Sequence, residues 1–180
     1  AKLALKPGLK ILDIGSGWGD LALYLATLEK VDVTGVTLSK EQHALSNEKA
    51  RRLGLSDRVR FQLRDYREVP DRFDRIVSVG MFEHVGVQHY PEFFAKVNAL
   101  MKDDGLMLLH SIGHMSPPGT ASPWLRKYIF PGADASCPLG FVVSQAERAG
   151  FEVHRVENCG VHYSVTIHKW DCPEGTELGH

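Results

Sequence analysis

A segment near the start of the chain combines a carboxylate with regularly spaced glycines. Residues 13–19 read D-x-G-x-G-x-G and lie between an apolar run at 9–14 and a helical pattern that begins at Asp20. Glycines allow a ligand to approach the backbone at the positive end of a helix, and a carboxylate can bind its cationic group. The alternative is a tight strand-to-helix connection without a ligand. We expect a ligand-binding turn formed by Asp13, Gly15, Ser16, Gly17 and Gly19.

A nicotinamide dinucleotide is a poor fit to this turn. The dinucleotide fingerprint G-x-G-x-x-G would place a glycine at position 20, where the chain has Asp20. It would also place an acidic residue at the end of the second strand, but the segment 34–37 contains no carboxylate. Hydride transfer is therefore not the expected chemistry.

Two further polar side chains are placed by predicted strands, since Glu83 follows the strand at 73–79 and His110 lies near the end of the strand at 106–111. Ligands of parallel α/β sheets bind outside the carboxyl ends of the strands, so both side chains are expected to lie at that edge. The alternatives are a helix N-terminal carboxylate for Glu83 and a buried structural histidine for His110. His84, beside Glu83, is expected to support the loop rather than to react.

Apolar runs and helical patterns alternate over the first two-thirds of the chain. Strands are predicted at 9–14, 33–37, 59–63, 73–79 and 106–111, with helices at 20–29, 40–53 and 89–101 between them. Ser39, followed three residues later by Gln42, resembles a capping box at the start of the second helix. Beyond a Gly-, Pro- and Ser-rich stretch at 112–138, we predict a helix at 142–149 and strands at 151–156 and 163–170. This alternation predicts parallel βαβ units in a doubly wound α/β sheet.

Composition excludes several classes of protein. The 180 residues, 43% hydrophobic and 24% charged, are typical of one globular domain and not of a disordered chain. Twenty-one basic and 22 acidic residues give a net charge of −1, so the basic excess of a nucleic-acid-binding protein is absent. Three cysteines without C-x-x-C spacing, and no i, i+4 histidine pair on a predicted helix, predict neither a disulfide framework nor a metal site. No apolar stretch approaches the ~20 residues of a membrane span, and we expect a cytoplasmic protein.

A series of ordered motifs resembles one enzyme family. The motifs are GVTLS at 35–39, EQ at 41–42, DYR at 65–67, FDRIVSVGMFEHVG at 73–86, LLH at 108–110, KYIFPG at 127–132, EN at 157–158 and HY at 162–163. Together they resemble the cyclopropane fatty acid synthases, which include the mycolic acid cyclopropane synthases and are S-adenosylmethionine-dependent class I methyltransferases. The resemblance implies a Rossmann-like fold with a seven-stranded, mostly parallel sheet and helices on both faces.

The resemblance also implies a reaction and the residues that take part in it. An alkene in an unsaturated phospholipid acyl chain attacks the sulfonium methyl group of S-adenosylmethionine, and a bound bicarbonate removes a proton as the cyclopropane closes. By this resemblance Glu83, His110 and Tyr163 hold the bicarbonate. Its implied cofactor contacts beyond the glycine turn are Thr37, Leu38 and Gln42 at the ribose and methionine, Tyr66 and Arg67 at the adenine, and Gly80 under the ligand.

The length of the chain leads to a further expectation. The family carries a longer N-terminal region, which covers the cofactor and supplies a cysteine, whereas only about eight residues precede the first strand here. We therefore expect a methyltransferase domain at 1–170 without that region, followed by a tail at 171–180. Apolar surface left uncovered by its absence would favour self-association, as in a homodimer, or the binding of a partner.

Three functions remain open on the sequence. The first is methylene transfer to unsaturated phospholipid acyl chains at a membrane surface, with peripheral association at its inner face. The second is transfer of a plain methyl group to another lipid or a small amine. The third is a catalytically impaired, cofactor-binding fragment.

Overall fold

A parallel five-stranded sheet forms the centre of the protein. The computed structural model describes residues 2–113, 127 and 138–162. The strands run in the order β3-β2-β1-β4-β5, and every neighbouring pair is parallel. Their bounds are β1 Lys10–Ile14, β2 Asp32–Thr37, β3 Val59–Leu63, β4 Phe73–Val79 and β5 Met101–His110.

Four α-helices that lie wholly within the described residues cover the two faces of the sheet. They are α1 Asp20–Leu28, α2 Lys40–Arg52, α3 Tyr90–Leu100 and α4 Leu139–Arg148. Buried side chains of α1 and α2 pack with β1, β2 and β3 in one apolar cluster, and those of α3 and α4 pack in a second cluster on the opposite face. This doubly wound, Rossmann-like arrangement is the one predicted from the alternation of strands and helices.

Local sequence explains where the helices begin. Gly19 precedes α1 with a φ of 85°, a conformation that glycine adopts without steric cost. Ser39 caps α2, because its side chain accepts a hydrogen bond from the backbone N–H of Gln42 at 3.2 Å. The predicted capping box is only half present, since the Gln42 side-chain oxygen accepts from the Thr37 hydroxyl at 2.8 Å.

β5 contains an irregularity in its register against β4. Phe73 of β4 pairs with Met101, but Arg75 pairs with Leu106, so the intervening residues of β5 are extra in the register. β5 therefore begins at Met101, before the start of the strand predicted at 106–111, and the bend lies within it. Arg72 stabilises this bend by donating to the Met101 carbonyl at 2.6 Å.

The predicted strand at 151–156 is wrong. Residues 151–159 have no regular secondary structure, and all of 152–159 are exposed. Phe151 alone packs against the core, with its ring 6.0 Å from that of Phe94. The segment mixes Glu152, His154 and Arg155 among its apolar residues, and so has no continuous apolar face to bury on the sheet. The predicted strand at 163–170 and the domain boundary at 170 lie outside the described residues.

Candidate active site

The carboxyl ends of the strands create a crevice beside β1. β1 pairs with β2 on one side and with β4 on the other, so successive connections lead away from it in opposite directions. Such a switch point leaves a gap between the loops, and α/β proteins bind ligands there. The loops after β1, β2 and β4, together with the end of β5, carry almost all of the predicted site residues.

The glycine turn after β1 is held against β2 by its backbone. The N–H groups of Gly15 and Ser16 both donate to the Val36 carbonyl at 3.0 Å. Gly15 has a φ of 76°, and a Cβ there would lie 2.7 Å from the Met81 side chain. Glycine is therefore required at position 15 for the packing of the turn itself.

Gly17 and Gly80 differ from Gly15, because space is open beside them. Gly17 has a φ of 53° and Gly80 a φ of 68°, and a Cβ built on either would meet no atom within 4 Å. Gly80 follows β4 and donates its N–H to the His110 carbonyl at 3.1 Å. Two left-handed glycines with open space beside them suit a ligand that lies against the backbone.

Asp13 is a buried carboxylate without a hydrogen-bond partner among the described residues. It is only 2% exposed, and its Oδ2 atom accepts no hydrogen bond. Desolvation by burial raises the pKa of Asp13 from 3.8 to about 7. A cationic group in the crevice would offset this desolvation, and the carboxylate is therefore suited to binding one.

Glu83 and His110 both lie at the carboxyl edge of the sheet, after β4 and at the end of β5. Glu83 is 5% exposed in a 3₁₀ turn at Phe82–His84, and its Oε1 accepts from the Ile112 N–H at 2.7 Å. Its Oε2 and the Nδ1 of His110 are both buried without a hydrogen-bond partner in the described part of the chain. His110 pairs with Val79 in the sheet, so the two unpartnered groups share the β4–β5 end of the crevice.

The residues after β2 divide into a hydrogen-bonded pair and an exposed leucine. The Thr37 hydroxyl donates to Gln42, and the Ser39 N–H donates to Thr37 at 3.2 Å. Leu38 between them is 73% exposed. The pair holds the start of α2 at the sheet, and Leu38 is free to cover an apolar part of a ligand.

The residues after β3 bring together an aromatic ring and an ion pair. Tyr66 is half-buried, with its ring edge-to-face against Phe93 at 5.5 Å. The Arg67 guanidinium donates to both carboxylate oxygens of Asp65, at 3.1 and 2.7 Å, and approaches Glu92 at 4.0 Å. These bonds to Arg67 lower the pKa of Asp65. Sequence reasoning missed Asp65, although its spacing of two residues from Arg67 within the DYR motif was visible.

Tyr163, the third predicted bicarbonate ligand, lies outside the described residues. Among the residues that are described, no three His, Cys, Asp or Glu side chains are grouped to hold a metal ion. No helix within 2–113 or 138–162 is both long enough and apolar enough to span a membrane.

Comparison with known families identifies the family of the chain. The profile of the mycolic acid cyclopropane synthetase family matches residues 1–173. The chain belongs to this family. The resemblance on which the site residues were chosen is thereby confirmed at the level of the family.

Characterised relatives of this family act on different lipids according to their names. The cyclopropane-fatty-acyl-phospholipid synthase of Escherichia coli is 43% identical over 169 residues, which cover 94% of this chain and 43% of that enzyme. The sphingolipid C9-methyltransferase A of Emericella nidulans is 44% identical over 177 residues, covering 94% of this chain and 34% of that enzyme. The chain thus spans less than half the length of these relatives.

Solved structures of family members share the fold. A cyclopropane synthase from Mycobacterium tuberculosis superimposes with a TM-score of 0.85 at 31% identity, covering 94% of this chain and 64% of that one. A mycolic acid cyclopropane synthase complexed with SAH and CTAB gives 0.84 at 32% identity with the same coverage. The Rossmann-like methyltransferase fold predicted from the sequence is confirmed, with five of the expected seven strands in the described residues.

Proposed function

We propose that this chain binds S-adenosylmethionine and transfers its methyl carbon to the double bond of unsaturated phospholipid acyl chains, forming a cyclopropane. The family membership and the 43% identity to a cyclopropane-fatty-acyl-phospholipid synthase support this reaction. The bound SAH in a related structure supports the cofactor.

The unpartnered carboxylate of Asp13 is the observation that carries the proposal. Keeping a buried, unpaired carboxylate costs stability unless a ligand satisfies it. S-adenosylmethionine bears an ammonium group that can pair with Asp13, and its methionine part can lie against Gly17 and Gly80, where a Cβ would meet no atom within 4 Å. The residues of the crevice therefore fit the cofactor. Leu38 and Tyr66 would cover its ribose and adenine.

The remaining polar groups of the crevice support the chemical step. Bound S-adenosylmethionine supplies an electrophilic methyl group, which forms a bond to an alkene carbon as the bond from sulfur to that methyl group breaks. Closing the three-membered ring then requires that a C–H proton leave the new methyl group for a base. Glu83 and His110, both with an unpartnered buried atom, would hold that base in place.

Bicarbonate is the base that we propose, with Glu83, His110 and Tyr163 as its ligands. Glu83 Oε2 would accept the hydrogen bond of the bicarbonate hydroxyl, and His110 Nδ1–H would donate to one of its oxygens. Glu83 would then orient the base, because the Ile112 N–H fixes its Oε1 and its Oε2 has no other partner among the described residues.

Binding and turnover test these proposals separately. Calorimetry with SAM and SAH is expected to show binding, and its absence at millimolar ligand would refute the cofactor assignment. Incubation with unsaturated phospholipid vesicles is expected to add one CH₂ per acyl chain by mass spectrometry. Glu83→Gln is expected to abolish that gain and leave SAH affinity nearly unchanged; loss of both would assign Glu83 a structural role instead.

Plain methyl transfer to a sphingolipid is the second candidate, because a relative of that name is 44% identical. Both reactions add one CH₂, so mass alone does not separate them. Ozonolysis cleaves a methyl-branched alkene but leaves a cyclopropane intact. A cleaved product would favour the second candidate.

The substrate of the first candidate lies in a bilayer, and we infer that the enzyme acts at a phospholipid surface from the cytoplasm as a homodimer. Vesicle flotation tests the surface association, and sedimentation velocity tests the dimer. Recovery of a monomer in the aqueous fraction would contradict both.

A further inference from the structure

The ring of Phe61 packs beside two glycines, Gly19 at the end of the glycine turn and Gly35 in β2. Phe61 lies in the middle of β3 and is 4% exposed. A Cβ built on Gly19 would lie 2.7 Å from Phe61 Cζ, and one built on Gly35 would lie 2.5 Å from Phe61 Cδ1. The ring therefore occupies the space that side chains at both glycines would fill, and its position determines how closely the turn can approach the sheet.

Asn47 holds Phe61 in this position through the backbone. β3 is the edge strand of the described sheet, so the Phe61 N–H and carbonyl on its outer side have no strand to pair with. The Asn47 side chain takes the place of that strand: its Oδ1 accepts from the Phe61 N–H at 3.3 Å, and its Nδ2 donates to the Phe61 carbonyl at 3.1 Å. The same Nδ2 donates to the His43 carbonyl at 3.0 Å, which fixes the amide on α2.

Helix α2 contacts the turn a second time, next to Asn47. Ser46 is fully buried, and its Cβ lies 2.7 Å from the position of a Cβ on Gly19. Gly19 is thus packed against Ser46 of the helix and Phe61 of the strand, and Asn47 joins these two elements. A change in the Asn47 bonds would alter the separation of α2 and β3 and with it the support of the turn.

We propose that Asn47 is a positioning residue for the cofactor turn, acting through Phe61 without touching the ligand. This inference rests on the proposed binding of S-adenosylmethionine at the turn. Loss of the two bonds to Phe61 would let the turn sample other conformations, and apparent affinity falls in proportion to the fraction of molecules that keep the binding-competent one.

Asn47→Ala tests this inference, with Asn98→Ala as the matched control. Asn98 lies on α3, and its Nδ2 donates to the Ala149 carbonyl at 2.9 Å, away from the turn. Both variants remove a helical asparagine that bonds to a backbone carbonyl. We expect Asn47→Ala to weaken SAH binding about threefold to tenfold by calorimetry, and Asn98→Ala to change it less than about twofold. Asn47→Asp, which keeps the acceptor for the Phe61 N–H and loses the donor, is expected to fall between.

The amide resonances of Gly17 and Gly19 provide a second readout in the free protein. We expect them to shift in Asn47→Ala and to stay at the parent positions in Asn98→Ala. If Asn47→Ala bound SAH as tightly as the parent and also kept the parent resonances, the inference would be overturned. If the parent itself bound no SAH, the proposed function would fail, and the resonances alone would still decide whether Asn47 positions the turn. Asn47→Asp serves both measurements if Asn47→Ala does not fold.

Discussion

Two aspartates at opposite edges of the sheet differ in their hydrogen-bond partners and in the direction of their pKa shifts. At the amino edge, Asp74 of β4 accepts hydrogen bonds from the Lys10 N–H and the Lys102 ammonium, both at 2.8 Å. At the carboxyl edge, Asp13 of the neighbouring strand β1 is buried with its Oδ2 unpartnered. Burial raises the pKa of both carboxyls, but the bonds and charges around Asp74 outweigh it and lower the pKa of that residue.

This difference shows at which edge of the sheet the unsatisfied polar groups lie. The buried side-chain atoms without a hydrogen-bond partner in the described ranges belong to Asp13, Glu83 and His110, all at the carboxyl edge. Native proteins satisfy nearly all buried polar groups, and exceptions require an explanation. The proposed cofactor would supply a partner for Asp13, and the proposed bicarbonate would supply partners for Glu83 and His110.

The largest expected effect is on the pH dependence of stability. The folded pKa of Asp13 is raised from 3.8 to about 7, so between these values the folded state binds more protons than the unfolded state. The free energy of unfolding should therefore fall as pH rises from about 4 to about 7, by at most roughly 4 kcal/mol. Urea denaturation across this range should show the slope in the parent and not in Asp13→Asn.

Asp74→Asn is the control for that slope. Its lowered pKa gives a contribution of the opposite sign, present above its unfolded pKa and lost only below about pH 4. The variant should keep the parent slope between about pH 4 and 7. If the unfolding free energy of the parent and of Asp13→Asn changed equally with pH, the burial of Asp13 would not be the cause of the slope, and the two edges would not differ in this respect.

The next effect is on cofactor affinity. Asp13→Asn keeps the shape of the side chain but removes the charge that would pair with the ammonium group. Because hydrogen bonds to charged groups are worth about 1.5–3 kcal/mol, we expect SAH binding to weaken about 10- to 100-fold by calorimetry at neutral pH. Asp74→Asn should bind as the parent does. Unchanged affinity in Asp13→Asn would mean that this carboxylate is not a cofactor ligand.

Two glycines at the carboxyl edge, Gly15 and Gly17, are expected to respond differently to replacement by alanine. Gly15→Ala would place a Cβ 2.7 Å from Met81 and should cost about 2–3 kcal/mol of unfolding free energy. Gly17→Ala meets no neighbour and should cost about 1–2 kcal/mol, from its positive φ alone. In Gly17→Ala, calorimetry should show a larger loss of SAH binding free energy than the loss of unfolding free energy that denaturation shows. In Gly15→Ala, the loss of binding free energy should not exceed the loss of unfolding free energy. The reverse pattern would place the ligand elsewhere.

The smallest effect is expected at the amino edge. Lys102→Ala removes the ion pair with Asp74. In this pair the Lys102 side chain is 44% exposed and the Asp74 side chain is 20% exposed. Such pairs contribute about 0–1 kcal/mol and are screened by salt. The loss of stability should shrink at high salt, and SAH affinity should not change. A larger loss would show that the amino edge also depends on individual charges.

Much of the fold could be predicted from the sequence because its elements are short and strongly patterned. β3 and β4 were predicted with their observed bounds, and α3 within one residue at each end. The strand predicted at 151–156 is wrong, because β-branched and aromatic residues favour a strand only where they can pack on a sheet, and charged residues interrupt them here. The bend within β5 depends on its register against β4.

The residues of the site were predicted from the sequence, but the contacts between their side chains were not. The sequence placed the glycine turn directly after the first strand, and it placed Glu83 and His110 at the carboxyl edge of the sheet. The two-residue spacing of Asp65 and Arg67 was visible in the sequence. Their ion pair and the hydrogen bonds between Asn47 and Phe61 were not, because these depend on side-chain geometry after folding. Roles in catalysis and in cofactor binding stay predictions until the measurements above are made.

The position of β1 has a consequence for how the molecule assembles. β1, β2 and β3 follow one another along the chain and associate through local connections, whereas β4 reaches β1 only after β3 has been made. Local contacts form faster than distant ones, so we expect a ribosome-bound chain to complete the β1–β3 half first. At that stage the glycine turn exists but the crevice lacks its β4 wall. Cofactor in the cell would then stabilise only chains whose second half has docked, favouring completed molecules over half-folded ones.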